Sequence, residues 1–159
     1  MNSYSPMPLE IAISNLFKRL QIFKPEQISE KKIARDLRIF LTTKPIRSVC
    51  YENGRFQSIN IDQRLPVEMQ REQFYHELCH LLRHSGWQLG IMPRDFHDLQ
   101  EWDARNFVRY AAIPYHMLQF IDIDDPYVVD NMASVFKVTH ELCQERLEQL
   151  QRRVHCAGL

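Results

Sequence analysis

The most constraining feature of the sequence is the pentapeptide His76-Glu77-Leu78-Cys79-His80. On an α-helix, histidines at positions i and i+4 lie on one face about one turn apart. Both imidazoles can then reach one zinc ion at about 2.0–2.1 Å each. The motif therefore predicts a helix, over about residues 67–84, that carries a metal site on one face.

Glu77 gives this pattern its chemistry. Zinc lowers the pKa of a water that it binds toward about 7, and a carboxylate beside the first histidine can accept the released proton. Together these groups form the minimum apparatus for hydrolysing an amide. The alternative is a helix that displays two surface histidines by chance, which the position of the motif inside a predicted helix disfavours.

A third protein ligand is needed to leave the fourth position of the metal open. His84 lies eight residues, or about 12 Å of helix, from His76, so one ion cannot reach both. The HExxHxxGxxH pattern would place a histidine at position 86, which is Gly86. The downstream candidates are Asp95, His97, Asp98, Glu101 and Asp103.

Glu101 is the best of these candidates. It lies near the start of a predicted helix at about 99–112, and Ala104 and Val108 fall on its side of that helix. The small side chain of Ala104 would let this helix approach the motif closely. Asp95, His97 and Asp98 lie in a loop and are less constrained, and the alternative for Glu101 is a solvated surface carboxylate.

The apolar periodicity predicts one domain over residues 1–159. Asn53-Gly54 predicts a hairpin that joins the strands Ile46–Tyr51 and Arg55–Asp62, and Ser29 and Thr139 are candidate N-caps. The expected class is α+β, mostly helical with a small sheet and a C-terminal helical bundle. The predicted elements are N-terminal helices at 9–41, a sheet at about 46–62, the HExxH helix, the helix at 99–112 and C-terminal helices at about 127–153.

The composition of the chain disfavours several classes of function and location. The 20 basic residues balance the 20 acidic ones, which disfavours a protein that depends on phosphate contacts with nucleic acid. There is no apolar stretch of the roughly 20 residues that would span a membrane, and the N-terminus lacks the pattern of a signal peptide. A cytoplasmic location is expected. The four cysteines form no CxxC pair, so buried free thiols are expected.

The strings at 74–84 (FYHELCHLLRH) and 101–108 (EWDARNFV) resemble the ImmA/IrrE family of metallopeptidases, which shows HELGH and then an E-x-x-A-x-x-F-A helix that ends in a proline, here Pro114. Residues 58–62 and 132–139 are also similar, so the resemblance covers roughly 30–150. Cys79, Val108 and Thr139 stand where the family usually has Gly, Ala and Ser. These changes remove no ligand or base.

The resemblance implies a zincin-like fold in which His76, His80 and Glu101 bind one zinc ion and Glu77 is the general base. It also implies a protein partner: a helix-turn-helix transcriptional repressor of a mobile element or stress response, cleaved at one site. The alternatives are a non-proteolytic regulator that sequesters a repressor or senses zinc, and a DNA-binding regulator, which the zero net charge disfavours.

Two further expectations concern the surroundings of the metal. A residue that assists the transition state is sought among His84, Tyr110, Tyr115 and His116, and the sequence does not choose between them. A peptidase must also hold an extended substrate, and an exposed sheet edge does so through main-chain hydrogen bonds. Because Arg55–Asp62 directly precedes the HExxH helix, the sheet that contains it is expected to border the cleft, with a free edge of this strand or a neighbour as the substrate template.

Overall fold

The computed structural model describes residues 4–85 and 104–156. Its α-helices are α1 (Pro8–Arg19), α2 (Glu30–Asp36), α3 (Val67–Ser85), α4 (Ala104–Ala112), α5 (Val128–Phe136) and α6 (His140–Cys156), and its strands are β1 (Phe40–Lys44), β2 (Val49–Asn53) and β3 (Phe56–Asp62). Short 3₁₀-helices lie at Pro25–Gln27 and Tyr115–Phe120. The predicted class, mostly helical with one small sheet, is confirmed. No helix in these ranges is long and apolar enough to cross a membrane.

The sheet has the order β1-β3-β2, with β1 parallel and β2 antiparallel to β3. The predicted hairpin is confirmed: Asn53 pairs with Phe56, and Gly54 has a φ of 61° at the first position of the two-residue loop. A positive φ at this position is typical of the type II′ turn, which glycine adopts without strain. Because β3 is paired on both sides, the edges of the sheet that the described residues leave unpaired belong to β1 and β2.

One prediction about the N-terminal part is wrong. Residues 40 and 41 were expected at the end of a helix, but α2 ends at Asp36 and β1 begins at Phe40. The spacing of Ile33, Leu37 and Phe40 fits a helix. However, Arg38 adopts a left-handed φ of 59° and the amide of Ile39 bonds back to Ala34, which closes the helix. Neither glycine nor asparagine, the usual residues there, marks this end in the sequence.

Helix α3 occupies the centre of the fold, since it packs against both β2 and β3 on one side and against α4 on the other. Its buried side chains include Phe74, Leu78 and Leu81, and Ile59 of β3 is fully buried in the same core. Both predicted N-caps are confirmed. Ser29 Oγ accepts a hydrogen bond from the Lys32 amide at 3.3 Å, and Thr139 Oγ1 accepts one from the Leu142 amide at 3.2 Å.

A buried cluster of charges joins the two ends of the chain. Glu10 on α1 and Arg146 on α6 are both 0% exposed, and Arg146 Nη2 donates to Glu10 Oε1 at 2.6 Å. Arg153 and Tyr4 also donate to this carboxylate, at 2.6 and 2.7 Å. Burial by itself raises the pKa of Glu10, but the charge of Arg146 and the hydrogen bonds outweigh it, so the pKa lies below its ordinary value of 4.5.

Replacing Glu10 by Gln should lower the free energy of unfolding by about 3–5 kcal/mol, because Arg146 would keep its burial without a counter-charge. Urea unfolding of the two proteins at pH 7 measures the difference. The matched control is Glu148→Gln, which removes an exposed ion pair with Arg152 and should cost less than about 1 kcal/mol.

The difference in the free energy of unfolding between wild type and Glu10→Gln is expected to depend on pH. Because the pKa of Glu10 is lowered on folding, its ionised form stabilises the native state fully above pH 4.5, and this contribution is lost as the pH falls through the lower native value. The difference between wild type and Glu10→Gln should therefore shrink below about pH 4.5. A difference that stays constant down to pH 3 would contradict this assignment.

Candidate metal and catalytic site

The HExxH motif lies in α3, as predicted. Leu78 within the motif and its neighbours Phe74 and Tyr75 are completely buried, whereas helical spacing places His76 and His80 on the opposite side. His76 and His80 are half-buried, and Glu77 is 8% exposed. The helix therefore uses one face for packing and leaves the two imidazoles accessible to an ion from solvent.

The two histidines converge on one point. His76 Nε2 and His80 Nε2 are 3.2 Å apart, and the rings are nearly perpendicular, with an interplanar angle of 76°. Two nitrogens that bind one tetrahedral zinc ion at about 2.05 Å are about 3.3 Å apart. The observed separation thus fits a shared zinc ion without movement of the helix, and the donor set matches the preference of zinc for imidazole nitrogen.

Sequence reasoning did not single out Cys50 of β2, which lies near the motif on the sheet. Burial, and then the neighbouring Glu77 carboxylate, raise the pKa of Cys50 to about 11. The sequence separates these residues by 27 positions, and only the packing of β2 on α3 brings them together. The available signal was a cysteine in a strand, three residues before the last residue of that strand at the hairpin turn. It was not used because the cysteines were considered only for their spacing to one another.

The proposed third ligand cannot be placed. Glu101 lies outside the described residues, as do its competitors Asp95, His97, Asp98 and Asp103. Within 4–85 and 104–156, no three His, Cys, Asp or Glu side chains form a group that could hold a metal ion. Binding by Glu101 stays a prediction.

Helix α4, which starts three residues after Glu101, is held firmly against the helix of the motif. Arg105 forms two hydrogen bonds with Glu145 of α6, at 2.9 and 2.7 Å, and lies 3.8 Å from Glu72 of α3. The hydrogen bond from Arg105 lowers the pKa of Glu145. Burial acts in the opposite direction, and a hydrogen bond from Arg109 lowers this pKa further. Val108 is buried, and Ala104 packs against the core. This arrangement agrees with the expected close approach of a helix with small residues.

The candidates for transition-state assistance have other partners. Tyr110 is buried, and its hydroxyl accepts a hydrogen bond from Arg153 at 3.1 Å, in the cluster around Glu10. His116 Nε2 donates to the carbonyl of Ile22 at 3.0 Å, and burial, partly offset by this carbonyl, lowers its pKa. No hydrogen bond in the described part of the chain joins either residue to the motif. The side chain of His84 lies outside the described residues, so its role stays a prediction.

Comparison with known proteins identifies the family. The model of the Peptidase_M78 family, described as the IrrE N-terminal-like domain, matches residues 30–148. Two relatives from Bacillus subtilis (strain 168) are the uncharacterized protein YqaB, 34% identical over 95% of this chain and 88% of the relative, and the phage-like element PBSX protein XkdA, 35% identical over 91% of this chain and 74% of the relative. No solved structure matches.

The ligand assignment predicts a specific loss of zinc affinity. Glu101→Ala should weaken zinc binding by more than about 100-fold, because even partners that only support a ligand contribute 10–100-fold. Competition with a chromogenic chelator measures the affinity. The control is Glu148→Ala, which removes an exposed carboxylate of α6 that forms an ion pair with Arg152. Normal affinity in Glu101→Ala, with loss in Asp95→Ala, His97→Ala or Asp98→Ala, would move the ligand to the loop.

Proposed function

This chain belongs to the IrrE N-terminal-like family of peptidases, and from that premise we propose that it is a zinc-dependent endopeptidase that cuts a helix-turn-helix repressor at a defined site. The observation that carries the proposal is the pair of imidazole nitrogens 3.2 Å apart, with a carboxylate at the next position of the helix. This combination fits two ligands of a tetrahedral zinc site and supplies the base that peptide hydrolysis requires.

Each residue has one task. His76, His80 and the predicted ligand Glu101 would hold the ion. A zinc ion held by these residues would supply a Lewis acid for the scissile carbonyl and would lower the pKa of the attacking water. Glu77 accepts a proton from the attacking water and passes it to the nitrogen of the leaving amine. The amide bond can then break with release of a neutral amine and not of an amide anion. Its low exposure, 8%, favours this role because proton transfer is shielded from bulk solvent.

The proposed substrate is a transcriptional repressor, as the resemblance to the ImmA/IrrE family implies. Similarity to XkdA, a protein of a phage-like element, supports a setting in a mobile element. The balance of 20 basic and 20 acidic residues also favours an action on the repressor protein and not on its DNA site. We place the reaction in the cytoplasm, where such a repressor would be met.

We further propose that substrate adds to the edge of β2. Strand β2 packs on α3, and Glu77 is close enough to raise the pKa of Cys50, so this strand borders the motif, whereas Arg55–Asp62 itself lies at the centre of the sheet. In a two-residue hairpin the closing pair Asn53–Phe56 is hydrogen-bonded, and bonded and non-bonded pairs alternate from there. The amides of Cys50 and Glu52 therefore point outward, and no other described strand pairs with them.

Glu77→Gln should lower the rate of repressor cleavage by about 10²- to 10⁴-fold, since the amide cannot accept the proton, while zinc content stays normal. Co-expression with a candidate repressor, followed by mass spectrometry of the fragments, measures cleavage. Glu68→Gln, an exposed change on the same helix, is the matched control. Should Glu77→Gln relieve repression as well as wild type, the protein acts by binding the repressor and the proposal of an endopeptidase fails.

The edge of β2 can be tested with proline. Glu52→Pro removes an outward amide donor and should reduce cleavage by at least about 10-fold, with zinc affinity unchanged. Glu52→Ala keeps the amide and removes the same side chain, so it should cleave like wild type. Thermal unfolding confirms that both variants fold. Equal cleavage by the two variants would show that substrate runs elsewhere.

A further inference from the structure

Three aromatic rings lie together on the face of the sheet that is turned away from α3. Phe40 of β1 and Tyr51 of β2 are both in register with Ser58 of β3, one residue from the buried Ile59, so their side chains point to the opposite face. Phe56 shares that face, and its ring centroid is 6.5 Å from that of Phe40 and 6.3 Å from that of Tyr51. The three side chains are between 52% and 63% exposed, although phenylalanine is among the residue types most often buried.

We call these three residues, together with Val49 of β2, the outer patch. Val49 is 52% exposed and lies two residues from Tyr51, so it shares the same face. Contiguous apolar surface of this kind marks a site where another molecule docks. The charges beside the outer patch and the orientation of its rings indicate which molecule this is.

Basic residues lie at both ends of β2. Arg47 is two residues before the first residue of the strand, and Arg55 is in the hairpin turn that follows the strand. Both are exposed, and within the described part of the chain neither forms an ion pair. Of the carboxylates on the neighbouring strand positions, Asp62 is paired with Arg64 at 2.8 Å, and Glu52 lies on the other face, in register with a buried residue of β3. These unpaired cations favour an acidic partner.

We propose that the outer patch docks the substrate of the proposed endopeptidase, through an extended segment that has large apolar side chains at alternate positions and acidic residues at both ends. This inference rests on the proposed function and adds the chemistry of its substrate. A strand added to the edge of β2 would place every second side chain about 5 Å from Val49 or Tyr51. Its two ends would lie near Arg47 and Arg55. The other set of side chains would face α3, so the outer patch selects the segment on which the motif acts.

Two other occupants fit the outer patch less well. Face-to-face contact with a second copy of this chain would bring the cations of both copies together. Single-stranded nucleic acid stacks successive bases on aromatic faces, but the ring of Phe56 is tilted by 36° to that of Phe40 and by 59° to that of Tyr51. Apolar side chains do not require parallel rings, so a protein segment is the occupant that these observations favour.

Binding of labelled peptides to the full chain tests the proposal, with Glu77→Gln as the host so that no peptide is cut. The probe has leucine at alternate positions, serine between them and glutamate at both ends. In fluorescence anisotropy it should bind at least about 10-fold more tightly than the same peptide with lysine at both ends. Adding Phe56→Ser should weaken binding of the probe by at least about 10-fold. The matched control is Phe120→Ser, which removes a ring that is 46% exposed elsewhere in the chain and should leave binding unchanged.

A second variant keeps every ring and changes only charge. Arg55→Glu should reduce the preference for glutamate ends by at least about 5-fold, with thermal unfolding unchanged. Absence of peptide binding, or equal binding of the two peptides, would overturn the proposal. Tighter binding of a labelled oligothymidylate than of the probe would do so in favour of nucleic acid. A dimer in sedimentation equilibrium that is lost in Phe56→Ser would do so in favour of a second copy.

These binding measurements do not depend on cleavage. If wild type cuts no repressor, the proposed function fails, while the anisotropy still decides whether the outer patch docks an acidic segment. If wild type does cut a repressor, Phe56→Ser should raise KM by about 10-fold and leave kcat unchanged, because the ring contributes to binding and not to the chemical step.

Discussion

The buried ion pair between Glu10 and Arg146 is the interaction on which the arrangement of the helices depends. Neither charge reaches water, so each is tolerable only while the other is in place. Arg146 also donates to the carbonyl of Ile113, one residue beyond the end of α4, at 3.4 Å. One side chain therefore fixes α1, α4 and α6 together. A second pair, Arg105 with Glu145, holds the other end of α4 against α6. These charges set the course of α4 across the described part of the chain.

Helix α3 has to satisfy two requirements that oppose each other. Its core face is packed between the sheet and α4, which fixes its position, while the opposite face must keep polar groups half-buried and able to bind an ion. The helical period of 3.6 residues per turn meets both requirements, because it places His76 and His80 on one face and the core residues Phe74, Leu78 and Leu81 on another. The same rigidity keeps the two Nε2 atoms 3.2 Å apart, so the histidines are organised before any metal arrives.

The features that could be predicted depend on residues close together in the sequence, whereas the features that were missed depend on residues far apart. The motif helix, the hairpin at Asn53-Gly54 and the N-caps Ser29 and Thr139 depend on residues within a few positions, and local chemistry determines them. The strand β1 was missed because its evidence is a parallel pairing with β3, at a separation of 18 residues, for example Phe40 with Ser58. The effect of Glu77 on the pKa of Cys50 was missed for the same reason: it exists only after β2 has packed on α3.

The register of the hairpin decides whether β2 can serve the site at all. The two-residue loop sets Asn53 opposite Phe56 and therefore Cys50 opposite Ile59. In this register the Cys50 side chain points toward α3 while its amide points away from β3. A slip of one residue would turn the Cys50 side chain to the outer face and its amide into the ladder, so that an outward donor of the proposed substrate edge would be lost. Gly54, at a φ of 61°, allows the tight two-residue loop that sets this register. A single turn residue therefore determines which amides of β2 are offered at the proposed substrate edge, although it lies two residues from the nearest of them, that of Glu52.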